Sequence, residues 1–156
     1  KHSFRLGYFF HLITDNLWWT MIGSPTKERF PEQFAADQNF IWKGKDDWYG
    51  LDFTYVREHP DCLFWNIFLG CEYTHAYLDF LPTEAIQRNI EYIKTYYQRK
   101  DEEIEAILRR PFIYLSQADM DQFVEDSTRR LHQVYHVLWI KGVDTSVLTS
   151  ALALPG

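Results

Sequence analysis

The chain has 156 residues, of which 46% are hydrophobic and 24% charged, and these values fit one globular domain with a sizeable core. The net charge is −6 and no basic block is present, which argues against a nucleic-acid partner. The longest early apolar stretch, residues 6–19, is too short for a membrane span, so we expect no transmembrane segment.

Two cysteines, Cys62 and Cys71, bear on the cellular compartment. Neither belongs to a C-x-x-C pair, which argues against a thiolate zinc site. Both lie at the ends of an apolar run, where a free cysteine behaves as a small hydrophobe. We therefore expect reduced thiols, no disulfide and a cytoplasmic protein. An N-terminal signal is not excluded, because the sequence begins with Lys1 rather than Met.

The first predicted helix covers residues 3–22, and its apolar side chains populate both sides of a helical wheel. One side carries Leu6, Phe10, Ile13 and Leu17, and the other carries Tyr8, Leu12, Trp18 and Trp19. A helix that is apolar all round is normally buried all round. This helix is therefore predicted to be the central and most buried one, and the Gly-Ser-Pro sequence at residues 23–25 is predicted to end it.

The later segments are also predicted to be helical, because none shows the period-2 alternation of a strand. The predicted helices cover residues 26–42 with a break at Pro31, 48–58, 60–69, 83–110 and, after a Ser116 and Asp119 capping box, 117–139. Residues 43–47 are predicted to form a turn and 72–81 an irregular stretch. We predict an all-α, single-domain bundle of about five or six helices around a buried N-terminal helix. It spans residues 1–150, and 151–156 form a flexible tail.

Three residue pairs have the i, i+4 spacing that places two side chains on one face of a helix. They are His11 and Asp15, His75 and Asp79, and His132 and His136. Imidazole and carboxylate groups suit zinc and related ions, so each pair is a candidate half of a metal site. Spacing alone does not rank the three pairs, and their surroundings must do so.

The surroundings favour His11 and Asp15, which fall on the helix predicted to be buried. Ionisable groups in such a place are costly unless they are paired or bind a metal. A His–Asp hydrogen bond without any metal is the structural alternative. By contrast, His132 and His136 lie off the core stripe of the last helix and are predicted to be solvated.

A family resemblance appears at the same residues. The segment at residues 7–15, GYFFHLITD, resembles the G-x-x-x-H-x-x-x-D helix of the zinc-dependent phospholipase C family, which is related to the P1-type nucleases. Two further stretches, WYGLD at residues 48–52 and PFIYLSQADM at 111–120, add to the likeness to small bacterial members of that family. The resemblance implies an all-α fold with a deep site in which His11 and Asp15 ligate one metal of a cluster.

The chain also departs from the family pattern. The family takes further ligands from its N-terminus and a preceding His/Asp segment, and this sequence starts too late to contain them. It also uses a later H-x-x-x-E helix, which has no match among the 156 residues. A site completed by upstream residues and a degenerate site therefore both stay open. We expect the 156 residues alone to be a poor phosphodiesterase, because a catalytic zinc usually has three protein ligands.

The first functional hypothesis is a metal-dependent hydrolase that acts on a small-molecule or lipid-headgroup phosphoester, with zinc as the preferred metal. Asp37 and Asp52 are the next acids to test as ligand or base. Trp18 and Trp42 are candidates to wall a pocket or hold a cationic headgroup, with core packing as the alternative. The second hypothesis is a non-catalytic helical binding or scaffolding module with an aromatic surface patch. The sequence does not determine the oligomeric state.

Overall fold

The computed structural model describes residues 2–74, 78 and 80–142 of the chain, and helices dominate this part. No strand occurs among these residues, so the predicted all-α class is confirmed. In chain order the α-helices are α1 (His2–Trp18), α2 (Ser24–Arg29), α3 (Pro31–Ala36), α4 (Ile41–Glu58), α5 (Leu63–Asn66), α6 (Thr83–Tyr96), α7 (Glu102–Arg109) and α8 (Gln117–Tyr135). Trp19–Gly23 and His136–Ile140 are π-helical, and Phe68–Gly70 is a 3-10 turn.

The chain divides into two compact units, which are described separately. Unit 1 combines Lys1–Asp37 with Leu115–Gly156, and unit 2 is Gln38–Tyr114. Unit 2 is therefore one continuous segment, whereas unit 1 is built from two segments that are distant in sequence. Among the described residues, no helix has both the length and the apolar character needed to cross a membrane.

The core of unit 1 forms where α1 packs against α8. Its buried residues are Ile13, Val134 and Val137, and the half-buried apolar side chains around them are Phe9, Phe10, Leu17, Leu131 and Leu138. Near the other end of α8, the Trp18 ring meets the Phe123 ring edge-on at 4.9 Å. One side of α1 therefore supplies apolar surface to α8.

The prediction that the first helix is the most buried one is wrong. Ile13 is the one buried residue among the described residues of α1, and Leu12 on the opposite side is 44% exposed. Helix α4 instead contains six buried residues, which include Leu51 and Phe53. The physical reason is that α8 covers only part of the surface of α1, so apolar residues outside this contact, such as Leu12, stay at the surface.

The core of unit 2 forms around α4. Phe53 and Ile104 have no exposed surface. The Phe53 ring lies 5.2 Å from the Tyr96 ring and 5.1 Å from the Tyr97 ring, and these two tyrosines are at the end of α6. Contacts of α4 with α6 and α7 thus bury the middle of α4.

Several predicted helix boundaries differ from those in the structure. Residues 43–47, predicted to form a turn, lie inside α4, because tertiary contacts of Gly44 and Asp47 outweigh their low helix propensity. The Gly23 backbone stays helical, so the chain passes through the π-helical turn into α2. The predicted helix over residues 83–110 is interrupted, and the Asp101 side chain caps α7 by accepting a hydrogen bond from the Ile104 amide. The predicted helix over residues 60–69 is reduced to α5 and the 3-10 turn.

Other local predictions are confirmed. Ser116 and Asp119 form the predicted capping box at the start of α8, with side-chain and backbone hydrogen bonds in both directions. Helical structure then continues to Ile140 through the π-helical turn. Cys62 and Cys71 are both free and half-buried.

Candidate functional site

Helix α1 places His11 and Asp15 on one face, one turn apart. The His11 Nε2 atom lies 3.4 Å from the Asp15 Oδ2 atom, and the two side chains are 64% and 61% exposed. The predicted proximity is present, but the predicted burial is wrong, because this face of α1 points away from its contacts with α8. The pair therefore carries little of the desolvation cost that a buried ionisable pair would have.

The same face of α1 has room for an approaching group. Gly7 lies one turn before His11, and apart from its chain neighbours and the backbone of α1 itself, nothing lies within 4 Å of the position where a Cβ at Gly7 would be. The Tyr8 ring stands 6.4 Å from the His11 ring. An imidazole nitrogen and a carboxylate oxygen thus converge on an open surface, and these are two donors that zinc accepts.

The described residues supply two of these donors but no complete metal site. No group of three or more His, Cys, Asp or Glu side chains suited to hold a metal is found in the described part of the chain. Asp37, the C-terminal cap of α3 in unit 1, is half-buried and does not join His11 and Asp15 in such a group. His75 and Asp79 lie outside the described residues.

Asp52 belongs to unit 2 and has a different environment. The Tyr97 hydroxyl donates a hydrogen bond of 2.8 Å to the Asp52 Oδ2 atom. Burial raises the pKa of the Asp52 carboxyl above its usual range, and the hydrogen bond from Tyr97 opposes this rise. Burial and the neighbouring Asp52 charge also raise the pKa of Tyr97, so Tyr97 stays a hydrogen-bond donor. No Lys or Arg side chain pairs with Asp52 among the described residues.

The two tryptophans predicted to bind substrate differ in exposure. Trp18 is half-buried in unit 1 against Phe123, which fits the alternative of core packing. Trp42 in unit 2 is 57% exposed, and the Lys45 ammonium nitrogen lies 4.1 Å from the centre of its ring. The Trp42 ring is therefore able to hold a cation, and Lys45 already does so from within the same helix.

His132 and His136 are both exposed, as predicted, and line an open groove in unit 1. The groove also includes Phe10 from α1 and Arg129 from α8. Arg129 is already paired with Glu125 and Asp126 at 2.8 and 2.6 Å. This neutralisation removes the cation that would have favoured an anionic ligand in the groove.

Sequence reasoning missed a second groove, which lies in unit 2 between α4, α5 and α6. Asp52 lines it together with apolar side chains from all three helices. The available signal was the pair of i, i+4 apolar repeats formed by Leu63 with Ile67 and Phe64 with Phe68. A helix whose apolar side packs into a core shows the same repeats. The sequence therefore does not distinguish a groove wall from a core helix, and the groove was not predicted.

Comparisons of the chain with protein-family models, curated proteins and solved structures found no match. The functional inference consequently depends on the geometry described above and on the sequence resemblance of α1.

Proposed function

We propose that this protein is a metal-dependent hydrolase of phosphoester bonds, similar to zinc-dependent phospholipase C. In this proposal His11 and Asp15 hold a divalent ion, and zinc is the preferred one. The observation that carries the proposal is the 3.4 Å separation of His11 Nε2 and Asp15 Oδ2 on an open face of α1. The resemblance of residues 7–15 to the G-x-x-x-H-x-x-x-D helix of that family also supports the proposal.

The donor set fits zinc in its chemistry but not in its number. A neutral imidazole and an ionised carboxylate are both common zinc ligands, whereas a catalytic zinc usually has three protein ligands. The proposal therefore needs at least one more ligand from outside the described residues. When bound, zinc would polarise a phosphoryl oxygen and activate water near neutral pH. His11 and Asp15 would orient the ion, and Asp37, which belongs to the same unit, is proposed as the base.

The test compares the protein as its gene encodes it with the His11→Ala variant. We expect the wild-type protein to retain bound zinc after gel filtration and to hydrolyse bis(p-nitrophenyl) phosphate. The variant should lose both properties, because one donor of the pair is missing. Metal content is measured by mass spectrometry and turnover by nitrophenolate absorbance. For the 156 residues alone, we expect weak zinc binding and slow turnover.

His132→Ala is the matched control, since it removes another exposed imidazole of an i, i+4 pair. It should leave both zinc content and turnover unchanged. Equal zinc content in the wild-type and His11→Ala proteins would contradict the proposal, as would turnover that survives the loss of His11.

A second candidate function is a non-catalytic binding module, and an aromatic patch on unit 1 favours it. Tyr135 and Trp139 are 43% and 48% exposed, and their rings stack at 5.6 Å. The Phe10 ring lies 6.0 Å and the Phe9 ring 5.7 Å from Trp139. Exposed aromatic clusters of this kind are frequent at interaction surfaces. A native protein that binds no zinc would favour this function over the hydrolase.

A further inference from the structure

The groove in unit 2 is lined by neither His11 nor Asp15, and it has the properties of a small-molecule site. Its volume is about 510 Å³, which is within the range of ligand pockets. Leu63 and Ile67 on one wall are 71% and 58% exposed, although both are fully apolar. A ligand that covers this apolar surface removes it from water, and this burial contributes favourable binding free energy.

Aromatic rings form a second part of the groove. The Phe64 and Phe68 rings are nearly parallel, with centres 6.0 Å apart, and the Phe64 ring meets the Tyr97 ring edge-on at 5.9 Å. Ile93 of α6 lines the groove beside them. A hydrocarbon chain can contact these rings along its length, whereas a strongly hydrated group would lose its water there.

The groove contains one convergent acidic group, and this group determines the charge of the ligand. The Asp52 Oδ2 atom accepts the hydroxyl of Tyr97, and no described side chain donates to Asp52 Oδ1. No described Lys or Arg pairs with this carboxylate, and the nearby Lys94 ammonium is held by Glu91 at 2.8 Å and by the Cys71 carbonyl oxygen at 2.7 Å. A half-buried carboxylate without a cation is electrostatically complementary to a positively charged ligand.

We propose that the groove binds an apolar primary amine, whose ammonium group donates a hydrogen bond to Asp52 while its hydrocarbon part lies against Leu63, Phe64 and Ile67. An ammonium group with N–H donors satisfies the open acceptor of Asp52, and a quaternary ammonium does not. An anion would be repelled by Asp52, and a neutral alcohol would leave the carboxylate without a counter-charge. This role goes beyond phosphoester hydrolysis and requires no metal.

The experiment measures the binding of four probes with the same eight-carbon tail by titration calorimetry, in a buffer that contains a chelator. The probes are n-octylamine, n-octanol, octyltrimethylammonium and octanoate. We expect n-octylamine to bind at least about tenfold more tightly than n-octanol, because charge-assisted hydrogen bonds are roughly twice as strong as neutral ones. Octyltrimethylammonium should bind less tightly than n-octylamine, and octanoate should bind least tightly.

Three variants test the assignment to Asp52. Asp52→Asn should reduce the affinity for n-octylamine to that for n-octanol, and it removes a charge whose burial is unfavourable, so the fold should persist. Tyr97→Phe keeps the carboxylate and should retain the preference for the amine. Glu58→Gln removes an exposed carboxylate from the same helix and should change nothing. Circular dichroism checks the fold of each variant.

Equal affinities for n-octylamine and n-octanol in the wild-type protein would overturn the proposal. A preference for the amine that persists in folded Asp52→Asn would also overturn it. Because the chelator removes divalent metals, neither result depends on whether His11 and Asp15 bind zinc.

Discussion

Asp47 shows how one residue can define part of the fold. It has no exposed surface, and its Oδ2 atom accepts hydrogen bonds from the Ile113 and Tyr114 amides at 2.8 and 2.6 Å. Its Oδ1 atom lies 3.0 Å from a guanidinium nitrogen of Arg110. The carboxylate thus joins α4 to residues 110–114, and the Arg110 guanidinium offsets its charge at a position with no exposed surface.

We predict that Asp47→Ala lowers the free energy of unfolding by about 2–3 kcal/mol, because two amide donors and the Arg110 charge lose their partner. Asp47→Asn should cost less, since one acceptor oxygen remains. Urea unfolding followed by circular dichroism measures both changes.

Asp46→Asn is the control for this prediction. The Asp46 side chain is 51% exposed, and its carboxylate lies 3.7 Å from the same Arg110 side chain. Removing this charge should therefore lower the free energy of unfolding by less than about 1 kcal/mol. Equal losses for Asp46 and Asp47 would show that burial of the carboxylate is unimportant here.

At the residue scale, sequence alone identified His11 and Asp15 as a pair but not their exposure. Spacing fixes which side chains share a helical face, whereas exposure depends on what packs against that face. The adjacent acids Asp46 and Asp47, with Gly44 before them, predict a turn, whereas the structure places them inside α4. Their long-range partner at residues 110–114 has no local signal in the sequence.

At the scale of an element, α4 contains two buried glycines with different surroundings. A Cβ at Gly50 would lie 2.5 Å from the Phe112 Cε1 atom and 3.3 Å from Ile107 Cγ2. A Cβ at Gly44 would meet Tyr114 Cβ at 3.9 Å, which is an ordinary contact. Both glycines lie inside a helix, where alanine is intrinsically preferred. The packing around each glycine therefore decides whether an alanine there raises or lowers the free energy of unfolding.

We predict that Gly44→Ala raises the free energy of unfolding by about 0.5–1 kcal/mol, the usual gain in a helix interior. Gly50→Ala should lower it by about 1–2 kcal/mol, because the added methyl group displaces the Phe112 ring. The two variants carry the same chemical change in the same helix. Thermal and urea unfolding measure whether their free energies of unfolding change in opposite directions. Stabilisation by both substitutions would mean that Phe112 moves away without cost.

The ends of the elements were predicted unevenly from the sequence. The start of α8 was found because Ser116 and Asp119 form a local hydrogen-bonded motif whose residues are close in sequence. The interruption between α6 and α7 was missed, because Tyr97 and Ile104 are two helical turns apart and stay on one apolar stripe although residues 98–101 between them are polar. Asp101 alone marks the new start. A helix start that is marked by a local motif can be predicted from the sequence, whereas an interruption of a helix inside a continuous apolar stripe cannot.

At the scale of the whole molecule, the absence of strand-like alternation correctly predicted an all-α class. The division into two units was not predicted, because no linker composition marks the boundaries near residues 37 and 115. The unit 2 groove was also not predicted, since its walls combine α4 and α5 with α6, which follows only after residues 67–82. Long-range assembly of this kind depends on packing that a single sequence does not display.

The ends of unit 2 lie close together, because the Phe40 and Tyr114 rings meet edge-on at 5.1 Å. Its core residues, such as Phe53 and Ile104, all come from within Gln38–Tyr114. We predict that residues 38–114, produced alone, form a helical protein with a cooperative urea transition. Circular dichroism measures both properties.

The same fragment with Asp47→Ala is the control, and its transition should move to lower urea concentration. A fragment that shows helical signal without a cooperative transition would contradict independent folding of unit 2.

The division also sets an order of events during synthesis. When residue 114 has left the ribosome, all residues of unit 2 have been made, whereas α8, which packs against α1 in unit 1, has not. Until α8 emerges, Phe9, Phe10 and Ile13 remain exposed on the nascent chain, with unit 2 already able to fold. Of the two helices that form the core of unit 1, α1 is thus made long before α8, and slow translation between them would prolong the interval in which chaperones recognise α1.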